Sequence, residues 1–250
     1  MPRRIRPAAL RIASICLLAL ALVGCATVPP SARNPRDPWQ RVNRGIYKFN
    51  DAVDTAVVAP VARTYLRVTP QLVRTGITNF FNNLTSPDTI VNALLQGQLK
   101  PFARDTGRFV VNSTIGIGGL FDPASSMGLA LEARDFGQTF GKWGIPSGPY
   151  VVLPFLGPSD VRDAIGRVPD EYADPRHYIR NPYWNYGLLL LYDVKARADL
   201  LPLTDMAKKT FDPYAFERNA YLQHRDFMVK GPPAENSAEE ELKQLQQEPP

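Results

Sequence analysis

The chain has almost none of the residue types from which reactive centres are built. Its 250 residues include two cysteines, Cys16 and Cys25, and two histidines, His177 and His224. Neither histidine has a second ligand nearby at a metal-binding spacing, so no metal site is expected. No G-x-S-x-G elbow occurs. Ser125-Ser126 follow Asp122-Pro123, where turn formation accounts for them without a nucleophile. Gly116-Ile117-Gly118-Gly119 lacks dinucleotide-loop spacing and follows a stretch that reads as helix rather than strand. Asp135-Phe136-Gly137 has the letters of a kinase motif without its companions. The sequence therefore predicts neither catalysis nor a cofactor. Long apolar runs are also missing. The longest, residues 12–23, is about a dozen residues, whereas a helix needs roughly 20 to cross a hydrocarbon core.

That run sits where a secretory signal places it. Arg3, Arg4, Arg6 and Arg11 precede it and Leu22-Val23-Gly24-Cys25 follow, the layout of an exported and removed leader. The Leu, small, Gly, Cys ending resembles the lipobox of bacterial lipoproteins, which implies cleavage after residue 24 and acylation of Cys25. Two or more acyl chains on one residue hold a protein stably to a bilayer, where one holds it only marginally. Ala26, rather than Asp, follows the cysteine, which favours the outer membrane as destination. With Cys16 discarded and Cys25 acylated, no thiol remains for a disulfide, a metal or a nucleophile.

Removing the leader alters the charge balance. Of 29 Lys and Arg it takes four and no acid, leaving 25 basic against 24 acidic side chains. No basic cluster suggests nucleic acid. Residues 25–38 read as a Pro-rich tether, which offers little to bury. Residues 231–250, with five Glu, one Lys and four Pro, read as a disordered acidic tail. The folded body is then 39–230, and it holds every Phe, Tyr and Trp.

Within it the apolar residues recur mainly at helical spacing. Trp39, Val42, Ile46, Phe49, Val53 and Val57 form one stripe, which Pro60 is expected to end. Further helices are predicted over 71–84, from Ser86-Pro87-Asp88 with Ser as cap, from Pro101, and over 135–143, 159–168, 182–200 and 213–228, the last behind an Asp212 cap. Residues 116–158 break the pattern, being rich in Gly and Pro yet apolar. A solvent loop is normally polar, so this segment should plug into the core or meet lipid. Tyr and Trp suit a membrane interface, having one wet end and one apolar face. Core packing is the alternative for any one of them.

Several separated motifs together resemble one family. Asp37-Pro38-Trp39, Asn43-Arg44, Tyr47, Phe49-Asn50, Pro60-Val61-Ala62, Asn79-Phe80, Asn83-Leu84, Val91-Asn92, Leu95-Gln96-Gly97, Arg108-Phe109, Asn112-Ser113, Gly118-Gly119-Leu120-Phe121-Asp122, Asp135-Phe136-Gly137-Gln138-Thr139, Gly148-Pro149-Tyr150-Val151-Val152-Leu153-Pro154 and Arg162-Asp163 resemble, in order, the MlaA (VacJ) family of outer-membrane lipoproteins. The resemblance spans about residues 35–230. It implies a mainly α, ring-like single domain of short amphipathic helices, lying in the periplasmic-facing leaflet of the outer membrane around an amphipathic channel. It further implies phospholipid as cargo, a trimeric porin as partner and MlaC as periplasmic carrier, so that mislocalised lipid is removed from the outer leaflet without any covalent change. On that resemblance Phe49 and Asn50 would control flow. The Gly/Pro segment, with Leu120, Phe121, Asp122, Pro123, Met127, Leu129 and Leu131, would be a gating hairpin. The rival reading is a structural lipoprotein that braces a porin and conducts nothing.

Overall fold

Helix starts in this chain are set by side chains that accept from the first unpaired backbone N–H groups. Asp135 accepts from the Gln138 N–H, Asp160 from Asp163, Asn181 from Tyr183 and Trp184, and Asp212 from Ala215. The computed structural model describes residues 34–231. The order is α1 (Gln40–Val53), a π-helical turn (Asp54–Val58), α2 (Ala59–Val68), α3 (Gln71–Leu84), α4 (Ser86–Leu95), α5 (Leu99–Thr114), single-turn α6 (Pro123–Ser126), α7 (Phe136–Lys142), β1 (Tyr150–Leu153), β2 (Gly157–Asp160), α8 (Val161–Ala173), a 3-10 turn (Pro175–Tyr178), α9 (Pro182–Ala207) and α10 (Pro213–Lys230). The body is mainly helical, as the periodicity predicts. The leader over 1–24, Cys25, the tether as far as residue 33 and the tail beyond residue 231 lie outside the described residues.

Three local expectations are corrected. Pro60 does not end the first helix. A proline ring clashes with the carbonyl four residues back in a regular α-helix and has no N–H to offer. Here the turn before it widens, with the Ala59 N–H bonding to the Asp54 carbonyl five residues back, and the helix runs on as α2. Ser86 does not cap α4 but lies inside it, donating its hydroxyl to the Asn82 carbonyl at 2.8 Å. The tether also stops earlier than residue 38, because Asp37 is buried. Its carboxylate accepts from Tyr214 Oη at 2.6 Å, Asn43 Nδ2 at 2.9 Å and Arg218 Nη1 at 3.0 Å.

The apolar residues 150–160 form strands that helical periodicity could not reveal. β1 and β2 pair antiparallel, Tyr150 opposite Asp160 and Leu153 opposite Gly157. One end of this segment plugs into the core and its turn does not. Tyr150 and Val152 are buried with Tyr214 and Leu222 from α10, whereas Phe155 and Leu156 at the turn are exposed. A second apolar cluster, Ala59 and Ala62 against Ala198 and Leu201, joins α2 to α9. Small side chains there let the helix backbones approach closely. No described helix is long and apolar enough to cross a membrane.

Candidate functional site

Where α7, α8 and α10 meet, two glycines remove the steric barrier to contact. A Cβ on Gly166 would lie 2.6 Å from the Gly137 nitrogen, and one on Gly137 would lie 2.4 Å from Asp163 Oδ1. The close approach lets one arginine serve two carboxylates. Arg225 donates from Nη1 and Nη2 to the two oxygens of Asp135 at 2.6 and 2.9 Å, and its Nε pairs with Asp163. Tyr221 Oη adds a 2.6 Å bond to Asp163. Burial alone would raise the Asp135 carboxyl, but Arg225 holds it below the ordinary value. Asp135 thus both caps α7 and ties it to α10.

Beside this cluster opens a cavity of about 500 Å³ with many charged residues on its lining. Its lining is drawn from across the chain, including Asp88 of α4, Arg167 and Asp170 of α8, Arg176, and Arg225 of α10, with Leu156 from the β-turn. Arg176 pairs with Asp174, stacks 4.1 Å over the Tyr192 ring, and has a buried Nη1 without a hydrogen-bond partner among the described residues. Asp88 accepts from Asn92 Nδ2 at 2.8 Å, and Asp170 accepts from the Phe136 N–H at 2.8 Å. Burial, with the like charges of Asp170, Asp135 and Asp174, pushes the Asp88 carboxyl up to about 7. Burial, with Asp135, pushes Asp170 up to about 6.

A raised carboxylate value means that folding favours the proton. The associated stability is full below the unfolded-state value near 4 and is lost as pH rises through about 7 for Asp88. Asp88→Asn keeps an acceptor for Asn92 and removes the charge. We expect the variant to be more stable than the wild type at pH 8 by about 1 kcal/mol, after discounting for solvent in an open cavity. That advantage should disappear by pH 4. Chemical denaturation at the two pH values checks this, and equal differences at both would show that Asp88 does not titrate as described.

The residues singled out in the sequence fall into two other groups. Phe49 and Asn50 meet the β-turn. Asn50 Nδ2 donates to the Leu153 carbonyl and its Oδ1 accepts from the Phe155 N–H, both at 2.9 Å, while the Phe49 and Phe155 rings stand edge to face at 5.2 Å. They touch the turn that carries Leu156 rather than lining the cavity themselves.

Residues 120–131 do not form a strand hairpin. Leu120, Phe121, Met127 and Leu131 are exposed, around the α6 turn that begins at Pro123. The segment is fastened to α5. Arg108 donates to Asp122 Oδ2 at 2.5 Å and to the Leu129 carbonyl at 2.7 Å, and Asn112 Nδ2 donates to Asp122 Oδ1 at 3.0 Å. Burial opposes ionisation of Asp122, yet bonds from Ser125, Arg108 and Asn112 hold it at about 2. Gly119, at φ 89°, sits where a Cβ would strike Asn83 at 2.4 Å. The chain then continues straight into the cavity wall at Ala133 and Arg134.

The cavity residues Asp88, Arg167, Asp170, Arg176 and Arg225 carry no local motif, being scattered over most of the sequence. α8 and α10 carry many other charged and polar residues, so nothing local marks these side chains as a set.

Comparison with known proteins gives concordant results. A family model described as MlaA lipoprotein matches residues 35–228. The Escherichia coli (strain K12) protein named intermembrane phospholipid transport system lipoprotein MlaA is 34% identical over 226 residues, covering 89% of this chain and 90% of its own. A Haemophilus influenzae protein of the same name is 33% identical over 232 residues, covering 87% and 90%. A solved structure reported as a structural basis for maintenance of bacterial outer membrane lipid asymmetry superposes with a TM-score of 0.69 at 33% identity, covering 79% of this chain and 100% of that one.

Proposed function

Because this chain belongs to the MlaA lipoprotein family, we propose that it transports phospholipid at the outer membrane and thereby maintains lipid asymmetry, with the charged cavity as part of the passage. The supporting observation is a contrast within one body. Charged and polar groups line an open cavity of about 500 Å³, while Leu72, Val73, Leu99, Phe155, Trp184 and Leu190 are exposed on the outer surface. A lipid headgroup is costly to move through hydrocarbon because unpaired charge is poorly solvated there. Polar walls lower that barrier, and apolar outer faces suit a body resting among acyl chains. Headgroup movement of this kind breaks no covalent bond, so the role is transport rather than catalysis.

Cys25 carries the acyl anchor, the body lies in the periplasmic-facing leaflet around a continuous amphipathic channel, a trimeric porin holds it there, and MlaC receives the lipid. A porin brace would share the apolar faces but has no use for a cavity lined with charge.

Phe49 and Asn50 control flow by holding the β-turn whose Leu156 reaches the cavity. Deleting both removes two residues from α1, which rotates the helix on one side of the cut by about 200° relative to the other. The hydrogen bonds to Leu153 and Phe155 would be lost with it. We expect deregulated transport, read as an altered phospholipid content of the cell surface. Unaltered surface lipid in the deletion strain would remove these residues from the account.

A further inference from the structure

We propose that the cavity selects phospholipids whose headgroup joins a phosphate to a primary ammonium, the phosphoethanolamine class, over phosphoglycerol lipids. The inference rests on the conduit reading above and adds a headgroup preference to it. Most charges around the cavity are already spoken for. Asp135 is taken by Arg225, Asp174 by Arg176, and Arg134 by Asp105 and Glu132. Two carboxylates remain without an arginine or lysine partner among the described residues, Asp88 and Asp170, whose acceptors are met only by Asn92 and the Phe136 N–H. Two cationic donors also remain on the lining, the buried Nη1 of Arg176 and the guanidinium of Arg167, which forms no ion pair among the described residues.

The leftover groups are complementary to a zwitterion. An ammonium has three N–H donors and no acceptor, and two carboxylates can share them. A phosphodiester accepts from guanidinium N–H groups in strong, charge-assisted bonds. A space of about 500 Å³ falls in the ordinary range for small-molecule sites. A phosphoglycerol headgroup would satisfy the arginines but bring an anionic lipid against both carboxylates, of which Asp88 has no cation beside it and Asp170 has only the through-space attraction of Arg225 and Arg167. A trimethylammonium headgroup keeps the charge but has no N–H to give. A bare cation is a poorer fit, since no group of three or more His, Cys, Asp or Glu among the described residues is placed to hold a metal ion.

The test uses the full lipidated protein incubated with vesicles of equimolar phosphatidylethanolamine, phosphatidylcholine and phosphatidylglycerol, then repurified for mass spectrometry of the lipid carried away. We expect phosphatidylethanolamine to exceed each of the others by on the order of fivefold, as one charge-assisted contact in an open cavity gives. In the Asp88→Asn/Asp170→Asn double variant the ratio to phosphatidylglycerol should fall to about one. Both substitutions keep an acceptor oxygen for the existing bonds, and the wild-type ratios decide the matter even if the variant is unstable. Lipid carried in vesicle proportions would overturn the preference and leave the conduit standing. Equal capture of phosphatidylcholine and phosphatidylethanolamine would overturn recognition of the primary ammonium. Absence of any bound lipid would overturn both the preference and the conduit.

Discussion

Replacing Arg225 by Leu should lower the unfolding free energy by about 3–5 kcal/mol, the cost of removing one partner from a buried charge cluster. Arg225 is 9% exposed and bonds both Asp135 and Asp163. Without it, Asp135 has no cationic partner and faces Asp163, which keeps Arg162 at 3.0 Å, across the α7–α8 contact that Gly137 and Gly166 hold tight. The two carboxylates can then either take up protons or force the helices apart. For a body of this size the loss corresponds to about 10 °C in the melting midpoint. Adding Asp163→Asn to the variant should restore part of it, because the like charge facing Asp135 is gone while the amide oxygen still accepts from Arg162. Thermal denaturation followed by circular dichroism reads both effects. A change under about 1 kcal/mol would mean that the cluster contributes little beyond a surface ion pair.

The second large effect concerns movement of residues 120–131, which we propose as the gate. In the structure this segment is fastened to α5 through Arg108 and Asn112, and a Cβ on Gly107 would lie 3.9 Å from Leu129 Cδ1. Gly107→Cys with Leu129→Cys therefore places two thiols within reach of a short bifunctional crosslinker. The chain is suited to the experiment, since its own cysteines are Cys16 and Cys25 alone. Crosslinking should stop lipid passage, and a cleavable linker should restore it on reduction. Each single variant treated with the same reagent should pass lipid normally. Undiminished passage in the crosslinked protein would show that the segment need not move.

Local chemistry made the helical part of this fold legible. Asp212 before Pro213 is a cap that acts within one turn and stands where the sequence puts it, and Asp135, read as the first residue of its helix, caps that helix from one position before it. Pro60 misled because its effect depends on the turn before it. A π-helical widening at Asp54–Val58, next to the ion pair of Asp54 with Arg197 from α9, absorbs the ring. The β1–β2 pair was illegible because its strands are short and its turn exposes Phe155 and Leu156, so no clean alternation marks it.

The site was the hardest part to foresee. Asp88 and Arg225 are far apart in sequence and meet only because α4, α7, α8 and α10 pack around one space. Phe49-Asn50 and the 120–131 segment entered through resemblance to a family. The structure gives each a contact that sequence could not supply, the β-turn for the first and α5 for the second.

Asp88→Asn and the vesicle experiment probe the cavity wall, but the central claim concerns what crosses it. The most direct measurement is the phospholipid content of the outer leaflet in cells that lack this protein, compared with cells to which it has been restored. Outer-leaflet phospholipid should rise without it, with no change in lyso-phospholipid, and should fall again on restoration. An outer leaflet unchanged by the loss would leave only a porin brace, and an accompanying change in lyso products would point to a hydrolase instead.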